Sequence, residues 1–285
     1  MTSTPLISVI IPAHNNNKTI SVAIGSIANQ TYPNLEIIVI DDNSTDGTKN
    51  TVEILMRKYS NLKYYPLNFD DPKRFNRYGR NVNAGYASRN YGFEKVSGEW
   101  ITFQDADDAS FMNRIEFEYE MAKKYGATHV SIDWQKFNPS YLNKSFDIES
   151  AIADNKNFLI KNEEINNLAK KTKGIAYSLL GPLSALISFE WKRLPVINHL
   201  FFGSLEPYPG AGNSPLFRRE VIEKVKFRPV NKRVWPTFVG RGADRDFNFQ
   251  VAETFKNSLV FKFPLYMWRV EKQNKGYENY GKYIK

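Results

Sequence analysis

Apolar runs alternate with stretches of helical spacing between Leu6 and Phe103, and this alternation restricts the possible folds more than any other feature of the sequence. The first run, Leu6–Pro12, is nearly continuous in β-branched residues, which is typical of a parallel strand buried on both faces. Repeated strand–helix alternation predicts a doubly wound α/β sheet. The predicted strands are Leu6–Pro12, Leu35–Ile40, Leu62–Tyr65 and Trp100–Phe103, and the predicted helices are Thr19–Gln30, Thr48–Tyr59 and Asn83–Val96.

Carboxylates follow two of these strands at their C-terminal ends. Asp41 and Asp42 follow the second strand, and Asp105 and Asp107 follow the fourth. Doubly wound sheets bind ligands beyond the carboxyl ends of their strands, so we expect these side chains and the loop after the first strand to meet at one edge. Because close carboxylates repel unless a cation lies among them, the pair Asp105 and Asp107 indicates a divalent-metal site. Oxygen ligands suit Mg²⁺ or Mn²⁺. A solvated acidic loop is the alternative for an isolated motif of this kind.

Composition excludes several classes of protein. The 285 residues are 42% hydrophobic, which is enough for one large or two small domains. The absence of cysteine excludes disulfides, thiolate catalysis and Cys-zinc sites. The start of the chain does not resemble a signal peptide, and no run reaches the roughly 18 apolar residues of a spanning helix, so we expect a cytoplasmic protein.

The net charge of +9 favours phosphate-bearing ligands, nucleic acid or anionic lipid as partners. Most of the many aromatic residues are expected in the core, so we expect no nucleic-acid partner. No glycine-rich phosphate loop follows the first strand, and there is no Walker motif. A metal ion and basic side chains would have to hold phosphates instead.

Five ordered blocks in the N-terminal part resemble family 2 glycosyltransferases, which have the GT-A fold. The blocks are Ile10–Asn15, Gln30–Pro33, Asp41–Thr48, Asn83–Asn90 and Gly98–Asp108. The resemblance implies a Rossmann-like, mostly parallel sheet, with residues 1–130 binding the nucleotide sugar and residues 131–285 forming the acceptor-binding and catalytic-base half of the same domain. The implied activity is metal-dependent, inverting transfer of a sugar from a nucleotide-diphosphate donor, a UDP-sugar by preference, to an acceptor hydroxyl in glycan or polysaccharide synthesis.

The same resemblance implies roles for individual residues. Asp42 would hydrogen-bond the base, and Arg89 would lie near the phosphates, although it could instead form a surface ion pair. Asp105 would contact the ribose or a metal-bound water, and Asp107, with Asp105, would bind Mn²⁺ or Mg²⁺. The full implied donor site is Pro12, Ala13, His14, Asn15, Asp42, Arg89, Asp105 and Arg269. His14 is expected to contribute only its backbone.

Several other acidic residues have structural interpretations. Asp41 is expected to orient its neighbours, Asp46 is expected to cap the following helix, and Asp108 is a further candidate helix cap. Glu116, Glu118 and Glu120, on a predicted helix over Ile115–Tyr125, are expected to face solvent.

The catalytic base is expected near Asp244. The segment Arg241–Phe249 falls where the family usually carries a Glu-Asp pair, but here the Glu position is Ala243. The resemblance implies that Asp244 is the general base, with Asp246 as the alternative. Both carboxylates would also suit the N-terminus of a helix, where the helix dipole favours negative charge.

The apolar segment Ile175–Phe189, which Trp191, Lys192 and Arg193 follow closely, has two interpretations. It is either a pair of core helices below the acceptor pocket or an interfacial segment whose cations reach toward lipid headgroups. The second interpretation agrees with a lipid-linked acceptor and with peripheral contact to a membrane surface; a glycan is the other candidate acceptor. A strand is predicted at Val130–Trp134, and nothing in the sequence indicates an oligomeric state.

Two other functions stay open. A nucleotidyltransferase uses a similar sheet and a similar pair of aspartates, but it usually has the glycine-rich loop that is absent here. A catalytically inactive relative that only binds nucleotide sugars is favoured by Ala243.

Overall fold

The predicted N-terminal strands are present and lie side by side in one sheet. The computed structural model describes residues 4–69, 85–270 and 281–285. The strands are β1 Ile7–Ala13, β2 Leu35–Asp41, β3 Leu62–Pro66, β4 Trp100–Phe103, β5 Ala109–Ser110, β6 His129–Lys136, β7 Leu159–Lys161, β8 Leu216–Arg218 and β9 Ser258–Trp268.

Helices cover both faces of this sheet and occupy most of the connections. The α-helices are α1 Ile20–Ala28, α2 Thr48–Met56, α3 Tyr86–Gly92, α4 Arg114–Tyr125, α5 Ile148–Asp154, α6 Asn162–Thr172, α7 Ile175–Leu180, α8 Phe189–Lys192, α9 Asn198–Phe201, α10 Val221–Lys224 and α11 Ala243–Phe255. Single 3₁₀ turns or short 3₁₀ helices lie at Pro139–Tyr141, Gly181–Leu186, Val230–Lys232 and Gly281–Tyr283.

The strand order is β3-β2-β1-β4-β8-β6-β9-β5, and β7 pairs with β9. The strands β1 to β4 are parallel, as right-handed strand–helix–strand connections require. The antiparallel strand β8 lies between β4 and β6, so the second half of the chain extends the same sheet. The predicted doubly wound α/β architecture is therefore confirmed, with one continuous sheet serving both halves.

The sheet has a hydrophobic core on each face because its central strands carry apolar side chains on both faces. Side chains alternate between faces along a strand. In β1, Val9 and Ile11 belong to the core on one face, whereas Ile10 belongs to the core on the other. In β2, Ile37 and Ile38 are divided in the same way. This two-sided burial fixes the strand ends and therefore the position of the loops that follow them.

The helix boundaries are shorter than the sequence pattern predicts. The first helix spans Ile20–Ala28 rather than Thr19–Gln30, and the third spans Tyr86–Gly92 within the predicted Asn83–Val96. Positions 83 and 84 lie outside the described residues. Gly85, with φ +69°, precedes this helix, and a left-handed residue of this kind marks its start.

Glu118 is buried, and the expectation that it faces solvent is wrong. Its side chain and that of Arg114 are 0% exposed, and their closest charged atoms are 4.0 Å apart. Arg114 also donates hydrogen bonds of 3.2 Å to the carbonyl oxygens of Phe103 and Ser214. Burial raises the pKa of Glu118 to about 8, against a smaller lowering by Arg114. Helical periodicity places this residue next to the sheet, whatever its charge.

We expect Glu118 to make the stability of the protein depend on pH. Because its pKa in the folded state is above its unfolded value, its contribution to stability is present at low pH and is lost as the pH rises through about 8. Glu118→Gln should reduce the fall in the free energy of unfolding between pH of about 5 and 8. Urea unfolding across this range measures the effect, and the exposed residue on the same helix provides the control Glu120→Gln. If the free energy of unfolding of Glu118→Gln depended on pH as that of the wild type does, the raised pKa of Glu118 would be contradicted.

The apolar segment after Gly174 does not form a pair of core helices. It forms the short helix α7, the 3₁₀ helix Gly181–Leu186 and the start of α8. Leu179 is 77% exposed and Leu186 is 82% exposed. Across the described ranges, no helix combines the length and the apolar character needed to cross a bilayer.

Candidate active site

A cavity of about 280 Å³ lies beyond the carboxyl ends of β1, β2 and β4. The acidic ends of β2 and β4 both reach it, through Asp42 on one side and Asp107 on the other. The prediction that these ends meet at one edge of the sheet is therefore confirmed. The residues that line this smaller cavity are Pro12, Ala13, His14, Asn16, Asp42, Gly85, Ser88, Arg89, Asp105, Ala106, Asp107 and Arg241.

The loop after β1 is held in place by the loop after β2. The backbone oxygen of Asp42 lies 2.6 Å from Nδ1 of His14, so this ring makes a contact beyond the expected backbone role. Asn15, with φ +55°, accepts a hydrogen bond from Thr45 N and donates its own N–H to Ser44. Asn15 faces this loop and is absent from the lining of the smaller cavity.

The aspartates near the start of α2 accept hydrogen bonds from backbone N–H groups. Asp46 accepts a hydrogen bond of 2.9 Å from Thr48 N, so it binds the N-terminus of α2 as predicted. Asp41 accepts hydrogen bonds from Ser44 N and from the Tyr64 hydroxyl. Asp41 therefore holds the loop that carries Asp42, in agreement with its predicted orienting role.

Three carboxylates cluster at the end of β4. Asp105, Asp107 and Asp108 each have an oxygen within 4.8 Å of the others. Asp107 is exposed, and no other residue in the described part of the chain donates a hydrogen bond to its carboxylate. Asp108 is 1% exposed, and burial together with Asp105 and Asp107 raises its pKa. A divalent cation would remove this repulsion, and oxygen atoms are the ligands that Mg²⁺ and Mn²⁺ prefer.

Asp108 is not a helix cap, contrary to the expectation from sequence. Its carboxylate accepts hydrogen bonds from the Tyr266 hydroxyl at 2.8 Å and from Arg269 N at 2.7 Å. These bonds tie the end of β4 to the end of β9. Asp108 therefore fixes the loop that carries Asp107.

Both oxygens of Asp105 are held by side chains from elsewhere in the chain. Arg89 donates to one oxygen at 2.5 Å, and Asn213 donates to the other at 2.8 Å. Arg89 is 5% exposed, so the surface ion pair considered for it is not observed. The Tyr266 hydroxyl accepts from the Asp105 backbone N–H and from Asn213. Tyr266 and Asn213 were not predicted from the sequence, and no local signal marks them because they lie more than 100 positions from Asp105.

A larger cavity of about 490 Å³ adjoins the smaller one. The two cavities share three lining residues: Arg89, Asp105 and Arg241. The other residues that line the larger cavity are Trp134, Leu205, Pro207, Tyr208, Gly210, Ala211, Gly212, Asn213, Thr237, Gly242, Asp244, Arg245, Tyr266 and Trp268. A ligand that fills the smaller cavity can therefore extend toward Asp244.

Asp244 lies in the first turn of α11 and points into the larger cavity. Its side chain is partly exposed, and among the described residues no group donates a hydrogen bond to its carboxylate. A Cβ added at Gly212 would come within 3.2 Å of an Asp244 carboxylate oxygen, so this glycine leaves room beside it. The carboxylate of Asp244 is thus available to a ligand.

Asp246 is enclosed in the protein and does not line either cavity. Its side chain is 0% exposed and accepts two hydrogen bonds from Arg228, at 2.6 and 2.8 Å. The backbone N–H groups of Val234 and Trp235 donate to the same carboxylate. Through these bonds Asp246 holds the loop before α11 in place.

We expect Asp246→Ala to destabilise the protein by about 3–5 kcal/mol, because it leaves the Arg228 guanidinium and two buried N–H groups without their acceptor. Asp244→Ala should change stability little, since it removes no hydrogen bond of the carboxylate. Chemical denaturation of both variants measures the difference. Equal stability of the two variants would contradict this division of roles.

Arg269 was predicted at the donor site but does not line it, whereas Arg241 was not predicted and does. Arg269 packs its guanidinium 3.9 Å from the ring centroid of Phe137 and donates from Nε to the Asp107 carbonyl oxygen at 2.8 Å. It lines neither cavity and therefore supports the Asp107 loop from outside. Arg241 was not predicted, yet it is exposed and lines both cavities.

Two tryptophans form one wall of the larger cavity. The rings of Trp134 and Trp268 meet edge to face with centroids 4.8 Å apart, and Trp268 is 41% exposed. Exposed aromatic faces of this kind pack against the C–H groups of ligands while polar groups stay hydrated.

Comparison with known proteins identifies related sequences over the first two thirds of the chain. A model described as glycosyl transferase family 2 matches residues 8–180. A protein of Campylobacter jejuni named GalNAc(5)-diNAcBac-PP-undecaprenol beta-1,3-glucosyltransferase is 36% identical over 126 residues, which cover 44% of this chain and 37% of the relative. An Escherichia coli protein named UDP-Glc:alpha-D-GlcNAc-diphosphoundecaprenol beta-1,3-glucosyltransferase WfgD is 30% identical over 179 residues, which cover 63% of each. The match thus spans less than two thirds of either relative.

Solved structures share the fold over nearly the whole chain. S. aureus TarS 1-349 in complex with UDP superposes with a TM-score of 0.55 at 17% identity, covering 93% of this chain and 60% of that one. Mannosyltransferase PcManGT from Pyrobaculum calidifontis in complex with GDP-Man and Mn²⁺ superposes with a TM-score of 0.51 at 17% identity, covering 96% and 59%.

Proposed function

This chain belongs to glycosyl transferase family 2 and has the GT-A fold, and from that premise we propose that it transfers a sugar from a nucleotide-diphosphate donor to an acceptor hydroxyl with inversion at the anomeric carbon. The observation that carries the proposal is the pair of adjoining cavities that share Arg89, Asp105 and Arg241. The smaller cavity has the acidic strand ends, and the larger one has the unpaired carboxylate of Asp244. Residues 1–130 are the proposed donor half, and residues 131–285 are the proposed acceptor half.

The smaller cavity is the proposed nucleotide site. Asp42 would accept a hydrogen bond from the base, and Asp105, which Arg89 and Asn213 hold rigidly, would accept from the ribose. Arg89 and Arg241 would face the diphosphate from the boundary between the cavities. A UDP-sugar is the preferred donor because the E. coli relative is named for a UDP-glucose donor and TarS is described in complex with UDP.

The residues at the end of β4 fit a divalent cation. Asp107 would hold it, since its carboxylate is exposed, offers oxygen ligands and accepts no hydrogen bond from another described residue. Asp105 would be the second ligand. When bound, Mn²⁺ or Mg²⁺ would neutralise the charge that develops on the leaving diphosphate. The description of PcManGT in complex with GDP-Man and Mn²⁺ supports the same role in a protein of this fold.

Asp244 is the proposed general base. Its carboxylate would take the proton from the acceptor hydroxyl while that oxygen forms a bond to the anomeric carbon. The bond from the anomeric carbon to the diphosphate oxygen breaks, and its electron pair leaves with the nucleoside diphosphate. We do not propose Asp246 for this step, because five N–H groups already donate to its buried carboxylate.

The larger cavity is the proposed acceptor site. The wall formed by Trp134 and Trp268 would pack against the apolar face of a sugar ring. Both relatives described above are named for acceptors linked through a diphosphate to undecaprenol, so we propose a glycan on a lipid diphosphate as the acceptor class. The reaction would then contribute to glycan or polysaccharide synthesis.

A panel of nucleotide sugars tests this proposal. A ligand that binds the folded state raises the apparent melting temperature, so the donor should be the compound with the largest Mn²⁺-dependent shift. Release of nucleoside diphosphate on addition of glycan acceptors then measures transfer. Binding of nucleotide sugars without any release would favour an inactive relative, and formation of pyrophosphate from a nucleoside triphosphate and a sugar phosphate would favour a nucleotidyltransferase.

A further inference from the structure

Exposed apolar side chains are concentrated between Ile175 and Leu205, and we call this surface the apolar face. Ten of the eighteen large hydrophobic side chains that are exposed among the described residues lie in this segment. Leu186 and Val196 are each 82% exposed, and Trp191 is 64% exposed. Monomeric proteins rarely leave so much apolar surface in contact with water without a partner.

The apolar face is not a core that failed to close. Ile175 and Leu179 lie one turn apart on α7, and Leu183 and Leu186 lie one turn apart on the following 3₁₀ helix, so each pair shares one side of its helix. The opposite side is already buried: Tyr177 packs edge to face on Phe201, with ring centroids 5.8 Å apart. The exposed side chains therefore lie on the outer side of these helices, opposite the side that is already packed.

The apolar face is fixed to the body of the protein. The buried Lys192 donates from Nζ to the Asn231 carbonyl oxygen at 2.8 Å, and the Asn231 side chain donates to the Ala185 carbonyl oxygen. The ring of Phe202 packs on Phe238, whose side chain is 39% exposed beside the same surface. A partner would thus meet a preformed surface and would not have to order a loose segment.

Positive charge surrounds the apolar face. Between Lys170 and Leu205 the sequence has five cations and one carboxylate, Glu190. Lys192 is buried, and the paired cations and their carboxylates are Lys171 with Glu206, Lys173 with Glu253 and Arg193 with Glu190. The adjoining stretch Lys226–Arg241 has no carboxylate and adds three exposed cations, Lys226, Lys232 and Arg241, whereas Arg233 is buried and Arg228 pairs with Asp246. Exposed tryptophan and leucine bordered by lysine and arginine are typical of segments that lie at the interface of an anionic bilayer.

The apolar face is continuous with the mouth of the larger cavity. Leu205 belongs to the face and also lines that cavity, and Arg241 lines the cavity at the end of the cationic stretch. A molecule anchored in a bilayer below the face could therefore place its polar end in the cavity.

From these observations we propose that the apolar face docks on the surface of an anionic phospholipid bilayer, with the larger cavity opening toward the headgroups. The docking itself does not depend on the proposed transferase activity; only its use, access to a lipid-linked acceptor, rests on that activity. Leucine and tryptophan side chains would enter the acyl boundary, while the surrounding cations would lie among the phosphates.

Flotation with lipid vesicles tests the proposal without any nucleotide sugar. We expect the protein to float with vesicles of phosphatidylcholine and phosphatidylglycerol and to bind more weakly to phosphatidylcholine alone. The double variant Leu179→Glu/Leu186→Glu should reduce binding about tenfold or more, because it removes two apolar side chains and adds two charges that anionic lipid repels. The matched control is Ile54→Glu on α2, which is 64% exposed and lies outside the apolar face.

Circular dichroism and melting temperature should show that both variants fold as the wild type does, since the replaced side chains are exposed. Three results would overturn the proposal: no flotation of the wild type, equal loss of binding in both variants, or equal binding to the two kinds of vesicle. Size-exclusion chromatography provides a fourth result that would overturn the proposal. If the wild type is a dimer that the double variant converts to a monomer, and the wild type does not float, the face covers a second copy of the chain instead.

Discussion

Asp244→Asn is expected to reduce the rate of sugar transfer by about 10²–10⁴-fold, the usual contribution of a general base. Asparagine has nearly the same shape as aspartate but cannot accept the proton of the acceptor hydroxyl at neutral pH. Asp244 lines the larger cavity, and within the described residues its carboxylate accepts no hydrogen bond, so the substitution removes a reactive group without breaking a structural contact. The variant should therefore keep the stability of the wild type.

Steady-state release of nucleoside diphosphate, with donor and acceptor varied separately, measures this effect. The turnover number should fall while the affinity for the donor stays near its wild-type value, because Asp244 is absent from the lining of the smaller cavity. Glu253→Gln is the matched control, since Glu253 lies on the same helix and pairs with Lys173 at the surface. Transfer at the wild-type rate by Asp244→Asn would show that another group accepts the proton.

Asp107→Ala is expected to remove most of the metal-dependent part of nucleotide binding. Loss of a residue that only supports a metal ligand typically costs roughly 10–100-fold in metal affinity, and loss of the ligand itself should cost at least as much. Asp107 is the exposed member of the carboxylate cluster, whereas Asp105 and Asp108 are held by Arg89, Asn213 and Tyr266. The neighbouring carboxylates should therefore not take its place.

Calorimetric titration of UDP, with Mn²⁺ and with a chelator, separates the two contributions to binding. The wild type should bind UDP much more tightly with Mn²⁺, and Asp107→Ala should bind it with nearly the same weak affinity in both conditions. Asp154→Ala removes an exposed carboxylate that lines neither of the two cavities and should behave as the wild type. A variant Asp107→Ala that retains the Mn²⁺-dependent gain would exclude this residue as the metal ligand.

The sequence was sufficient to predict the first half of the fold and the place of the site. The strands β1 and β2 are apolar except at Ser8, Glu36 and Asp41, which is typical of strands covered on both faces. The strand–helix alternation also leaves few topologies. Once the sheet is parallel, the ends of its strands must lie at one edge. That is why Asp42 and Asp107, which are far apart in sequence, could be expected in the same cavity.

Tertiary contacts alone separated residues that look alike in sequence. Asp244 and Asp246 are two positions apart on one helix, yet one faces a cavity and the other meets Arg228 in the interior. Glu118 resembles its neighbours Glu116 and Glu120 but lies against the sheet. Burial depends on which elements pack on each face of a helix, and residues far along the chain provide those elements.

The same reason applies to the groups that hold the site together. Tyr266 on β9 and Asn213 in the turn before β8 hold Asp105 and Asp108 through hydrogen bonds from late parts of the chain. Likewise, the sequence does not show which side chains of the apolar face are exposed, because that depends on the packing of its inner side, where Tyr177 contacts Phe201. Local periodicity determines which residues form a strand or a helix, and long-range packing determines which side chains remain free to bind a ligand or a membrane.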